Sequence, residues 1–202
     1  MKTCKKGIMP LAVVVAATMM SIGVPAQTNR SERPLATVAS VDLKRYSGRW
    51  YEIARYPNRF QKQCAGNVTA AYRIKDNGRI EVTNECIRRD GRLETAVGEA
   101  KVADKATNAR LKVRFAPPAL SWLPFVWGDY WIVDLGKNYE YAVIGDPDRE
   151  HFWILSREPQ MSDARYQELL RRAEAMGFDP RKVQRTSQNV EVLKGAAIPK
   201  SE

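Results

Sequence analysis

The sequence predicts an all-β fold: an eight-stranded antiparallel up-and-down β-barrel with one C-terminal α-helix packed outside it. Three observations carry that prediction. Short runs of alternating apolar and polar residues recur between Gly48 and Arg157, which is the period of half-buried strands. Each run is joined to the next through turn-forming residues, as in an antiparallel meander. A single amphipathic helical pattern follows the last run, with only the outer wall of a sheet to bury it. Eight strands protect their edges best by closing on themselves, and the closed form leaves an interior wide enough for side chains or one small ligand.

In chain order, residues 1–26 read as a signal peptide. Lys2, Lys5 and Lys6 precede an apolar run from Leu11 to Val24, and Val24-Pro25-Ala26 places small residues at a cleavage site. The run is shorter than the roughly 18–20 apolar residues of a membrane anchor. Cys4 lies before it and no cysteine directly follows it, so no lipoprotein cysteine is expected. The expected location is periplasmic or secreted, with association to the outer membrane left open. Residues 27–41 are polar, contain Pro34 and show no period, which predicts a flexible arm.

The barrel domain is expected over 42–190. Its strands are predicted at 49–56, 67–74, 79–87, 93–102, 111–115, 130–135, 139–145 and 151–157. Asp76-Asn77-Gly78 closes the second and third as a hairpin. Ile80, Val82, Asn84 and Cys86 share one face of the third strand, opposite Glu81, Thr83 and Glu85. Arg89-Asp90-Gly91, Gly136-Lys137-Asn138 and Asp146-Pro147-Asp148 supply later turns. The helix is predicted at about 162–177, with Ser162 as N-cap and Tyr166, Leu169, Leu170 and Ala173 as its apolar stripe. Gly177 ends it, and residues 191–202 read as a flexible tail.

The formal charge is +10, and about +7 without the three leader lysines. The basic residues are spread along the chain with no nucleic-acid motif, so nucleic acid is not an expected partner. Cys64 and Cys86 remain beyond the leader, and an even count in an oxidising compartment predicts a disulfide, the alternative being two buried thiols. A hairpin turn at Asn77-Gly78 does not set the two opposite each other. A bridge therefore requires a bulge or bend near Gly66.

Three blocks together resemble the lipocalin family, and within it the bacterial outer-membrane type, which is close to plant temperature-induced lipocalins and apolipoprotein D. They are Y-S-G-R-W-Y-E-I-A-R from Tyr46, Y-W-I-V-D-L-G-K-N-Y-E-Y-A-V-I-G from Tyr130, and W-I-L-S-R-E-P from Trp153. The resemblance implies that Trp50 closes one end of the barrel, with Arg157 lying across its ring and Gly48 allowing the chain to approach. It also places Asp134 and Tyr139 in the family's second motif. If Arg157 faces inward as the resemblance implies, Trp153 and Leu155 face inward too. Strand alternation adds Ala70, Tyr72, Val82, Asn84, Val113 and Phe115, with Tyr130 a further candidate. Such a lining suits an acyl chain.

The loop Ala116-Pro-Pro-Ala-Leu-Ser-Trp-Leu-Pro-Phe-Val-Trp127 joins the fifth and sixth strands, at the end that the resemblance implies is the mouth. Its tryptophans and phenylalanine can pack on the rim, form a lid, or dip into a membrane surface. The expected function is binding, storage or transport of a fatty acid or lysophospholipid in the cell envelope. The alternatives are a carrier of a ring-shaped ligand (haem, bilin or retinoid) and an isomerase or esterase built on His151, which otherwise reads as a solvated turn residue. Nothing in the sequence calls for a cofactor or a metal, and it leaves the oligomeric state open.

Overall fold

The computed structural model describes residues 34–190. The signal-peptide reading, the arm before Pro34 and the tail from residue 191 lie outside the described residues. The strands are β1 (Gly48–Arg55), β2 (Cys64–Ile74), β3 (Ile80–Arg88), β4 (Leu93–Val102), β5 (Arg110–Arg114), β6 (Gly128–Leu135), β7 (Tyr141–Gly145) and β8 (Phe152–Ser156). Each pairs antiparallel with its neighbour in sequence. β8 and β2 both pair with β1, which closes the barrel. Helix α2 (Asp163–Ala175) lies outside, capped by the Ser162 hydroxyl, which accepts from Arg165 N. Helix α1 (Leu43–Tyr46) is a single turn before β1, and β9 (Gln184–Arg185) pairs with β1 after α2.

Alternation sorts the wall into two faces. Inside are Tyr72, Ile80, Val82, Ala100, Leu111, Ile132, Ala142, Ile144 and Leu155. Outside, Val143, Phe152 and Ile154 meet Tyr166, Leu169 and Ala173 of α2, joined by Phe178. Two bulges break the period where the helix sits. The β1 register shifts between Glu52 and Ala54, and that of β6 between Ile132 and Asp134. Ile53 and Ala54 can therefore both face outward, and Val133 joins them in the outer cluster. Burying Leu169 and Tyr166 there stabilises the docked helix by about 1.5–3 kcal/mol for each large side chain.

Residues 34–41 correct the expectation of a flexible arm. Leu35 is buried in the outer cluster and Val41 in the interior one. Val38 N donates to Ile132 O at 3.0 Å, and Val41 N to Thr107 O at 2.7 Å. Their partners are about 65 to 95 residues away in the chain, so no local period announces them. Tyr139, expected to open the seventh strand, instead sits in the turn before β7 with φ +61°.

The two cysteines form a disulfide, with Cα atoms 5.7 Å apart. The β2–β3 register shifts twice, between Cys64 and Gly66 and again between Gly66 and Thr69, which supplies the required bulge. Closing this loop of 22 residues constrains the unfolded chain by about 3 kcal/mol in the chain-entropy view.

The β1–β2 ladder ends at Tyr51–Thr69. Beyond it the strands part, and residues 184–190 fill the gap. Gln188 Nε2 donates to both Glu52 O (2.8 Å) and Val68 O (3.0 Å), pairing carbonyls on either side of the split. A Cβ on Gly66 would lie 2.5 Å from Ser187 O, so only glycine lets this segment pass.

Candidate ligand-binding site

The floor is built from α1, β1 and the residue after β8. Asp42 caps α1, its Oδ1 accepting from Lys44 N at 2.8 Å. Trp50 is fully buried and its indole N–H donates to Tyr46 O at 2.8 Å. The Arg157 guanidinium lies 3.8 Å from the Trp50 ring centroid. Its Nη1 donates to Arg49 O (2.7 Å), and its Nη2 to Arg45 O (2.6 Å), Ser47 O (3.0 Å) and Tyr46 O (3.2 Å). One cation thus satisfies the carbonyls at the α1 C-terminus, where the helix dipole also favours positive charge. Burial pulls the Arg157 pKa below its ordinary value, partly offset by Tyr46.

Gly48 has a different reason from crowding at the neck. An added Cβ would meet Arg157 Nη1 at an ordinary 3.5 Å, but the backbone φ is +93°, a conformation that disfavours other residues. Asp134 faces outward and ties the barrel to α2. Its carboxylate accepts from Arg172 Nη1 at 3.1 Å and from the Tyr141 hydroxyl at 3.4 Å.

Above the floor, burial falls off along the inward rows. Tyr72, Val82 and Leu155 are buried, whereas Ala70, Val113, Tyr130 and Trp153 are half-buried against the same cluster. Asn84 lies on this face too, opposite Ala70 and Ala96, and its Oδ1 is buried without a hydrogen-bond partner. Phe115 lies just past β5 and is 44% exposed. Its ring occupies the space a Gly98 side chain would enter, with Cδ1 2.7 Å from the position of an added Cβ. Small residues stand at 70, 96 and 98 on the upper inward rows, and the Phe115 ring takes the room beside Gly98. The enclosed space below is small, about 10 Å³, lined by Tyr46, Tyr72, Tyr130, Leu43, Ile80 and Val113 among others.

A polar cluster at the mouth escaped the sequence reading. Glu52 is buried and pairs with Arg55, and both accept or donate contacts with Thr186. Gln61 Nε2 donates to Glu52 at 2.6 Å, while Gln61 Oε1 accepts from the Trp153 indole at 3.1 Å. The β1–β2 connection is thereby hooked to the barrel wall. His151 is not simply solvated: its Nδ1 lies 2.7 Å from Asp146 Oδ2, and its ring stacks on Trp153 at 5.8 Å. Among the described residues, no serine or cysteine side chain is hydrogen-bonded to this pair.

Within the 116–127 loop, Trp127 is anchored. Its indole donates to Ser121 O at 2.8 Å, and its ring meets Lys101 at 4.2 Å, Arg114 at 5.2 Å and Arg79 at 5.6 Å. Leu120, Trp122 and Phe125 are instead 40%, 76% and 79% exposed.

A closed eight-stranded barrel, floored by a tryptophan–arginine stack and lined inside by apolar side chains, defines a calyx-type fold. The lipocalin-like domain family matches residues 41–188, and the chain belongs to the lipocalin family. It is 39% identical over 160 residues to temperature-induced lipocalin-1 of Arabidopsis thaliana, covering 78% of this chain and 85% of that protein. It is 37% identical over 170 residues to outer membrane lipoprotein Blc of Escherichia coli K12, covering 84% and 92% respectively. Insecticyanin from the tobacco hornworm Manduca sexta shares the fold, with TM-score 0.59 at 21% identity over 77% of this chain and 85% of that one.

Proposed function

We propose that this lipocalin binds a single-chain lipid, a fatty acid or lysophospholipid, and stores or carries it in the cell envelope. The observation that carries the reading is the burial gradient: an apolar inward face fully buried at Trp50, half-buried at Ala70, Val113 and Trp153, and 44% exposed at Phe115. Burying about ten methylenes at about 0.8 kcal/mol each offers about 8 kcal/mol, micromolar affinity before entropic costs. Ala70, Tyr72, Val82, Asn84, Val113, Phe115, Tyr130, Trp153 and Leu155 are the proposed contacts. The envelope setting is supported by the relative named an outer membrane lipoprotein, and the disulfide suits an oxidising compartment. Delipidated protein is expected to displace a fluorescent fatty acid at micromolar concentration and to hold one lipid per chain in native mass spectrometry. Absence of binding in both measurements ends this reading. A visible absorption band in purified protein would replace it with a ring-shaped ligand.

The exposed loop favours a second role, contact with a membrane surface during loading. Trp122 and Phe125 project from a loop whose own anchor, Trp127, is already buried. The neighbouring connections at this end carry Phe60, 57% exposed, together with Arg59, Lys62, Arg89 and Arg92. Aromatic side chains beside cations suit an anionic bilayer interface. The double variant Trp122→Ser/Phe125→Ser is expected to lose about tenfold or more in co-sedimentation with phosphatidylglycerol-containing vesicles, with Tm unchanged. Equal sedimentation of both proteins would remove the membrane role.

A further inference from the structure

Tyr46 from α1, Tyr72 from β2 and Tyr130 from β6 bring three hydroxyls together above the Trp50 floor. Tyr46 Oη lies 2.7 Å from Tyr130 Oη, and Tyr72 Oη lies 2.8 Å from it. Each phenol owns one hydrogen. The two contacts consume two of the three, whichever way each bond runs. One O–H is therefore left without an acceptor among the described residues, a costly state for a buried donor.

The space beside it has a matching size. The enclosed void of about 10 Å³ touches all three tyrosines, and the rest of its lining is almost wholly apolar. That is room for about one water-sized group. Tyr130 is the half-buried member of the three, and Tyr46 and Tyr72 are buried. Burial holds the Tyr72 phenol up at about 12 and pushes Tyr46 and Tyr130 well above their ordinary value. The cluster consequently stays protonated and offers a neutral donor.

We propose that the floor of the barrel recognises an oxygen acceptor at the buried end of the ligand: a keto, ester or hydroxyl oxygen on an otherwise hydrocarbon molecule. The simplest such ligand is an acyl chain oxygenated at its far end and inserted oxygen first. This rests on the lipid-binding reading, whose barrel interior it uses. A plain methyl end leaves the phenol hydrogen unpaired. A carboxylate at the floor brings a charge to a nearly apolar pocket with one neutral donor to meet it. The Arg157 guanidinium lies against the Trp50 ring with its N–H groups engaged by carbonyls.

The test compares hexadecanoic, 16-hydroxyhexadecanoic and 15-oxohexadecanoic acids as displacers of a fluorescent probe from the full chain. The two oxygenated acids are expected to bind about tenfold more tightly than the plain one, the worth of one neutral hydrogen bond. Single Tyr→Phe variants do not remove the surplus: Tyr46→Phe or Tyr72→Phe leaves one bond and one spare hydrogen, and Tyr130→Phe removes both bonds and leaves two spare hydrogens. The informative variant is Tyr46→Phe/Tyr72→Phe/Tyr130→Phe, which keeps three rings and deletes every hydroxyl; there the preference is expected to vanish. Should that variant lack a cooperative thermal transition, the unaltered protein serves. The carbonyl stretch of carbon-13-labelled 15-oxohexadecanoic acid is expected below its value in alkane solvent. Equal or tighter binding of the plain acid, or a carbonyl stretch at the alkane value, overturns the proposal; a water held by the free O–H would give that result. If none of the three acids binds, the lipid-binding reading itself falls and this inference falls with it.

Discussion

Trp50→Ala is expected to destabilise the protein by about 4 kcal/mol, among the largest effects of any single substitution in the chain. Trp50 is the largest of the fully buried side chains, and its ring sits between Arg157 at 3.8 Å and Tyr46 at 5.0 Å. Truncation removes the apolar area, leaves a cavity, and unstacks a guanidinium whose other contacts depend on its position. The walls around it are strands already pinned on both sides by hydrogen bonds, so little collapse into the space is available. For a domain of this size the loss corresponds to about 10 °C in Tm. Urea unfolding checks it: the midpoint should fall with the slope unchanged. Trp50→Phe should recover more than half, keeping a ring under Arg157 while losing the bond to Tyr46 O. A loss under about 1 kcal/mol for Trp50→Ala would show that the floor is not held by this ring.

The same floor shows which parts of the molecule could be read from the sequence. Strands were legible wherever one face is wet and the other dry. Ile80, Val82 and Asn84 alternate with Glu81, Thr83 and Glu85, and β3 pairs in that register. The Cys64–Cys86 bridge was legible with its condition, since the register offset demanded a bulge and the bulge is there. Period failed where both faces are buried. Ile53, Ala54 and Val133 face α2 through bulges that no alternation rule announces. It failed again where partners are distant. Leu35, Val38 and Val41 show neither a helical nor a strand spacing, because they pack against separate places on the wall. The tyrosine cluster is the clearest case. Residues 46, 72 and 130 are each ordinary in their own strand or turn, and only barrel closure makes their hydroxyls neighbours. The resemblance supplied Trp50 with Arg157. The physical reason for Gly48, its positive φ, became visible only in the backbone.

Arg157→Ala is expected to cost about 3 kcal/mol and Arg157→Lys about 2 kcal/mol, so that keeping the charge restores only a small part of the stability. The guanidinium fork reaches carbonyls of Arg45, Ser47 and Arg49 at once while lying flat on an indole. An ammonium at the end of a flexible stem has no plane to stack and cannot span that set, although it still answers the dipole of α1. Coupling to Trp50 gives the sharper measurement. If the stack contributes by itself, the double variant Trp50→Ala/Arg157→Ala should be less destabilised than the two single variants added together, by about 1 kcal/mol. Part of each single loss is the same contact, counted twice. Additivity within about 0.3 kcal/mol would mean that Arg157 acts only through the α1 carbonyls and that the ring merely fills space. In that case Arg157→Lys should also unfold α1 locally, read as faster amide exchange at Tyr46 and Ser47, whose N–H groups donate to Asp42 O and Leu43 O.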